Sequence, residues 1–208
     1  MAIVDDFALV IDGLVAHLAE SSIGIDVVIA ARSWGELIDH ENFPAQVTVL
    51  DLNLNDLISV RAKIAALRAA GSEVVVISRH ADAATVLRAI DAGALGYVPK
   101  TDGAAELVRA IKAAARGRRY LAPKLAAAIK GLPIPADPVL GTREQEAMAL
   151  YATGRSILEV ADAMATTEET VKSYIKRARR KYRDVGVELG TRSLLRNHGI
   201  REGWIDPD

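Results

Sequence analysis

The sequence predicts an α/β fold, a five-stranded doubly wound parallel sheet, followed by a small all-α helix-turn-helix domain. Three observations predict it. Short runs rich in Val, Ile and Leu alternate with helical stretches through residue 117. Those runs are apolar throughout, not at every second position, as expected of strands covered on both faces. Charge is also divided along the chain. Residues 1–117 hold 10 basic and 15 acidic side chains, whereas Lys172 to Arg183 holds seven cations and no acid. An acidic front and a basic block behind it point to two domains with different partners.

Taken in order, Ala2-Ile3-Val4 forms a short first strand that ends in Asp5-Asp6. Phe7 to Ser21 places Val10, Leu14 and Leu18 at helical spacing. Val27 to Ala30 is a second strand, Ser33 to His40 a short helix, and Val47 to Asp51 the third strand. Leu57 to Ala70 is helical and stops at Gly71, a good terminator. Glu73 to Ser78 is the fourth strand, Asp82 to Ala92 a helix closed by Gly93, Leu95 to Pro99 the fifth strand, and Gly103 to Ala115 the last helix of this half. No helix opens on a glycine-rich phosphate loop, which argues against nucleotide binding here.

The strand ends carry the chemistry. The first ends in Asp5-Asp6, the third in Asp51, the fourth in Ser78, and the fifth near Lys100. In an open parallel sheet all of these lie on the carboxyl edge, where ligands bind. Three carboxylates together disfavour joint ionisation, and a hard divalent cation such as Mg²⁺ relieves that. Lys100 and the Ser78 hydroxyl are then placed to bind phosphoryl oxygens on Asp51. Each residue alone has an ordinary role as a cap, a turn or a solvated charge; their convergence on one edge does not.

Val4-Asp5-Asp6, Val49-Leu50-Asp51, Val76-Ile77-Ser78 and Gly96 to Lys100 resemble the receiver domain of two-component response regulators, which has a flavodoxin-like fold. The resemblance implies that Asp51 accepts a phosphoryl group from a sensor histidine kinase. It implies Mg²⁺ on Asp6, Asp51 and the Asn53 carbonyl, with Asp5 helping through water. It also implies that Ser78 and Tyr97 form a switch pair and that Lys100 meets the phosphoryl group. The family's proline four residues after the acceptor is Asn55 here, and the first strand is short.

Residues 118–139 contain Pro123, Pro133, Pro135 and Pro138 and read as a linker, with a helical turn or two at Leu125 to Lys130. Three helix starts follow in residues 140–208. Thr142-Arg-Glu-Gln145 and Ser156-Ile-Leu-Glu159 read as capping boxes, and Thr166 to Glu169 opens a third helix. On that helix Val171, Tyr174, Ile175, Ala178 and Tyr182 form an apolar stripe beside the basic residues. Two short helices, the second amphipathic and basic, describe a helix-turn-helix. Leu140 to Glu144 and Thr170 to Tyr174 resemble the LuxR/NarL-type DNA-binding domain. That resemblance implies that Lys172, Ser173 and Lys176 face base edges of double-stranded DNA and that Thr170, Arg177 and Arg180 lean on phosphates. It implies a homodimer through a fourth helix, Thr191 to Gly203, with Leu194 and Leu195 at the contact.

The combined expectation is a response regulator of the NarL/FixJ type, not an enzyme, in which phosphorylation of Asp51 controls dimerisation and promoter binding. A rival keeps the fold and drops the chemistry: a receiver with a DNA-binding output that works unphosphorylated through a ligand or partner. A third, an aspartyl-phosphate phosphatase, needs a second acid two residues after the nucleophile, where Asn53 stands. With no cysteine, thiol chemistry and disulfides are excluded. His17, His40, His80 and His198 are scattered without metal-ligand spacing and suit packing or surface roles. No apolar run approaches a membrane span and no basic-then-apolar leader opens the chain, so a cytoplasmic protein is expected.

Overall fold

The computed structural model describes residues 1–20, 24–54, 56, 58–79, 81–135, 138–202 and 204–205. Asn55, His80 and Gly203 therefore lie outside the described residues. The chain divides between Ile134 and Pro135 into two compact units. No helix among the described residues is long and apolar enough to cross a membrane.

The first unit has strands β1 (Ala2–Val4), β2 (Ile29–Ala31), β3 (Val47–Asp51), β4 (Glu73–Ser78), β5 (Gly96–Pro99) and β6 (Tyr120–Leu121). All pair in parallel, in the order β2-β1-β3-β4-β5-β6. Between them run α1 (Ala8–Glu20), α2 (Trp34–Ile38), α3 (Val60–Ala69), α4 (Ala83–Asp91) and α5 (Ala104–Ala114), with α6 (Pro123–Ile129) last. Successive strand residues point to opposite faces. Leu50, Val74 and Val76 accordingly join Ile64, Leu67, Val86 and Leu125 in one core. Val49, Val75 and Ile77 join Ile11, Leu18, Leu107 and Ile111 in the other. At Gly96 a Cβ would come within 3.2 Å of both Ala110 and Val75, so the glycine lets α5 settle onto β5.

The sheet has six strands rather than five, and the expected linker is partly folded. Tyr120 and Leu121 extend the sheet along β5. Pro123 starts α6 at a position where its missing N–H costs nothing. Leu125 then buries its side chain in the first core, with Ile129 packed against that core. Of the prolines that read as a connector, Pro123 and Pro133 belong to the first unit, which ends at Ile134, and Pro135 and Pro138 fall in the second.

The second unit comprises α7 (Thr142–Ala152), α8 (Ile157–Ala163), α9 (Glu168–Asp184) and α10 (Arg192–Arg201). The first cap falls one residue before its predicted place. Gly141 is the N-cap, and its N–H donates to Glu144 Oε2 at 2.9 Å. Ser156 and Glu159 form the reciprocal box expected of them. Thr167 caps α9 by accepting from the Thr170 N–H at 3.2 Å. The α9 stripe of Val171, Ile175, Ala178 and Tyr182 is buried against Met148, Val160 and Leu195. Tyr182 meets His198 edge-on at 4.8 Å between ring centroids, and His198 meets Trp204 at 5.2 Å. This aromatic cluster fills the space under the C-terminal part of α9.

Leu195 corrects an expectation. It has no accessible surface and belongs to the core of this unit, so it cannot meet a second copy. Its neighbour Leu194 is 45% exposed and remains on the surface. Leu195→Ala is expected to cost about 2–5 kcal/mol of stability in this unit, and Leu194→Ala about 0.5 kcal/mol or less. Urea unfolding followed by helical circular dichroism measures both; equal costs would contradict this placement.

Candidate functional site

The strand order reverses beside β1, which has β2 on one side and β3 on the other. Crevices at such a reversal, beyond the carboxyl ends of the strands, are where open α/β sheets bind ligands. Asp5 follows β1 directly and Asp51 is the last residue of β3. Ser78 ends β4, and Lys100 follows β5 with its N–H bonded to the Ser78 carbonyl at 2.7 Å. The register brings these positions to one edge.

The side chains converge there. Lys100 Nζ lies 2.7 Å from Asp5 Oδ2 and 2.8 Å from Asp51 Oδ2. Asp5, Asp6 and Asp51 each offer a carboxylate oxygen, and these oxygens all lie within 4.8 Å of one another. Asp5 and Asp51 are buried and Asp6 half-buried. The Phe7 N–H donates to Asp5 Oδ1 at 3.0 Å and fixes that carboxylate. The Lys100 ammonium and the Arg79 guanidinium lie 5.7 and 5.5 Å from the centroid of the Phe7 ring. Phe7 is 44% exposed at the rim of this crevice and was not singled out by the sequence, because its partners are distant along the chain.

Burial pushes the Asp51 carboxyl up to about 6, and the Asp5 charge adds to the rise; Lys100 and the Asn53 N–H oppose it. Burial also works to lower the Lys100 ammonium, but the two carboxylates outweigh it and hold its pKa above the ordinary value. The result is a desolvated acid beside a firmly cationic lysine, with a surplus of negative charge.

An oxygen-seeking divalent ion fits this donor set. Two of the three clustered acids, Asp5 and Asp51, share the Lys100 ammonium, and among the described residues Asn53 Oδ1 is buried without a hydrogen-bond partner. Asn53 is itself 4% exposed, so the stranded oxygen faces a protein interior, not solvent. Mg²⁺ takes such carboxylate and carbonyl oxygens and accepts phosphoryl oxygens beside them.

Tyr97 lies wholly inside the first core and its hydroxyl hydrogen-bonds with Ser78. Burial raises its pKa. The two expected switch residues are thus in direct contact.

On the second unit, Lys172, Ser173, Lys176, Arg177 and Arg180 are exposed on α9, whereas Thr170 is half-buried and shares a 2.8 Å hydrogen bond with Thr167. Arg177 is less free than expected. Its Nε lies 3.6 Å from Glu144 Oε1, and its guanidinium stacks 5.1 Å from the Tyr174 centroid. Lys181 Nζ donates to Glu144 Oε2 at 2.7 Å and to the Val139 carbonyl at 3.0 Å. Burial alone would lift the Glu144 carboxyl, but Lys181, the Gly141 N–H and Arg177 hold it below the usual range. Lys172 lies 3.6 Å from Glu169 of its own helix, whereas the acid opposite Arg177 and Lys181 is supplied by α7, a contact that spacing along one helix cannot reveal.

Comparison with known proteins agrees with this geometry. Residues 1–112 match the response regulator receiver domain, and residues 139–181 match sigma-70, region 4. The DNA-binding transcriptional activator DevR/DosR of Mycobacterium tuberculosis is 32% identical over 93% of this chain and 91% of its own length. The nitrate/nitrite response regulator protein NarP of Escherichia coli is 31% identical over 86% of each chain. The transcriptional regulatory protein NarL of Mycobacterium tuberculosis is 33% identical, but only 54% of its length is spanned. A solved LuxR-family response regulator from Aurantimonas, 32% identical, superposes over 62% of this chain and 92% of its own with a TM-score of 0.55. The fold of RcsB from Salmonella enterica, solved bound to promoter rprA with a phosphomimetic, matches over 95% of this chain and 96% of its own with a TM-score of 0.60 at 24% identity. With a receiver domain over more than half its length and a helix-turn-helix unit behind it, this chain belongs to the response regulator family.

Proposed function

We propose that the protein is a transcriptional regulator whose receiver is phosphorylated on Asp51 by a sensor histidine kinase, and that this controls pairing of two copies and promoter binding through α9. The observation that carries the reading is the Lys100 ammonium held between Asp5 and Asp51 at 2.7 and 2.8 Å. It is a fixed cation beside a nucleophilic carboxylate, at the reversal point of the sheet.

The residues divide the work. Asp51 is the acceptor. Lys100 exchanges its contact with the Asp51 carboxylate for a phosphoryl oxygen and offsets the charge that arrives, about −1.5 to −2. Asp5, Asp6, Asp51 and Asn53 would supply the oxygens that hold Mg²⁺. When bound, the ion neutralises the acids and draws in the phosphoryl oxygens. Ser78 turns its hydroxyl to the phosphoryl group and gives up its bond to Tyr97. On α9, Lys172, Ser173 and Lys176 face base edges, while Thr170, Arg177 and Arg180 serve phosphates. The exposed Leu194 is the remaining candidate for contact between two copies. A cytoplasmic location follows from DNA as the partner.

Incubation with acetyl phosphate and Mg²⁺, followed by mass mapping of the phosphorylated peptide, tests the reading. One phosphoryl group on Asp51, dependent on Mg²⁺, is the expected result. An unmodified protein, or a phosphoryl group on another residue, contradicts it and favours a receiver that works unphosphorylated.

A further inference from the structure

The second unit holds a cleft of about 620 Å³ beside α9. Tyr151 of α7, Ile157 of α8 and Ile175 of α9 give it apolar walls, and Lys172, Lys176 and Arg179 line it with charge. The volume lies in the range of small-molecule sites, which join an apolar lining to a few placed polar groups.

Arg179 is the unusual member. Its Nε is buried, and among the described residues no acceptor reaches it. A buried charged N–H without an acceptor is costly, so the site favours an anion that supplies one. The side chain is nonetheless held in place. Its guanidinium lies 5.8 Å from the centroid of the Tyr151 ring. That ring is steadied by Arg192, 4.5 Å away, whose own guanidinium donates to the carbonyls of Gly154 at 3.2 Å and Arg155 at 2.9 Å. Lys176 stands nearby with no acid paired to it among the described residues. Arg179 is therefore a donor held in place in a cationic recess.

We propose that this cleft binds a small molecule in which a multiply charged phosphate is joined to an apolar or aromatic body, the chemistry of a nucleoside polyphosphate. The phosphates lie on Arg179, Lys172 and Lys176, and the body rests on Ile157 and Ile175. A duplex backbone satisfies only the first half of this arrangement, because it brings no apolar group to the walls. Since Lys172 and Lys176 are also placed on the DNA-facing side of α9, such a ligand competes with DNA. The site itself stands whether or not α9 reads DNA.

Calorimetric titration of the full chain with ATP tests the proposal, in Mg²⁺-free buffer at constant ionic strength, with inorganic triphosphate as the charge-only comparison. ATP is expected to bind at least tenfold more tightly than triphosphate. Arg179→Gln is expected to weaken ATP at least tenfold while keeping the helical circular dichroism of the wild type. Lys124→Gln, exposed on α6, is expected to leave ATP binding unchanged. Equal affinity for ATP and triphosphate, or wild-type ATP binding by Arg179→Gln, overturns the proposal. A labelled DNA duplex added to the same samples reports DNA binding separately: its displacement by ATP supports a shared surface, and simultaneous binding of both overturns the competition.

Discussion

Asp51→Asn is expected to end phosphoryl acceptance and, in the same protein, to stabilise the metal-free fold. The loss follows from the chemistry, since an amide oxygen is not the nucleophile a carboxylate is. The gain follows from the electrostatics. Asp51 titrates at about 6 in the folded chain, against an ordinary value of 3.8, mainly because it is buried. A carboxyl whose pKa is raised by folding favours the fold while protonated, and that contribution is lost as pH rises through about 6. Two pH units correspond to about 3 kcal/mol. Unfolding free energies of the two proteins should therefore diverge by up to about 3 kcal/mol in favour of Asp51→Asn between about pH 4 and pH 7. Added Mg²⁺ should narrow the gap by stabilising the wild type alone. Urea titrations across that pH range measure it. Parallel pH profiles would mean that Asp51 is not a strained, desolvated acid.

The second large effect lies on α9. Lys172 and Lys176 are exposed, and Lys176 has no acid paired to it among the described residues. Replacing both by Ala is expected to lower affinity for promoter DNA by roughly 30-fold to more than 10,000-fold at moderate salt, from about 1–3 kcal/mol for each of the two contacts. Arg177→Ala is expected to do less, because its guanidinium is already shared with Glu144 and Tyr174. Fluorescence anisotropy over a salt series separates the two kinds of contact. Loss of a phosphate contact lowers the slope of log affinity against log salt by about one, whereas loss of a base contact lowers affinity with the slope kept. A double variant that binds as the wild type would remove α9 from the DNA interface.

Much of the first unit was legible because its signals are local. Val74 to Ile77 could only be a buried strand, Gly71 and Gly93 ended their helices, and Asp5, Asp51, Ser78 and Lys100 each stood at a strand end. The parallel topology then brought them to one edge without further information. What escaped the sequence depends on contacts between distant segments. Tyr120-Leu121 is too short to announce itself as a strand; it pairs because β5 offers an open edge. Leu194 and Leu195 are adjacent and identical, and only the packing of α10 decides which is buried. Tyr182 could be placed on the apolar stripe of α9, but its contacts with His198 and Trp204 join segments that are distant along the chain. Arg177 and Lys181 looked unopposed until Glu144 arrived from another helix.

The coupling between the acidic edge and the basic helix is tested most directly by measuring the affinity of the full chain for its promoter with and without Mg²⁺ and beryllofluoride, alongside Asp51→Asn. Tighter binding by the treated wild type and no response from the variant are expected. An identical response from both proteins, or none from either, would contradict that coupling.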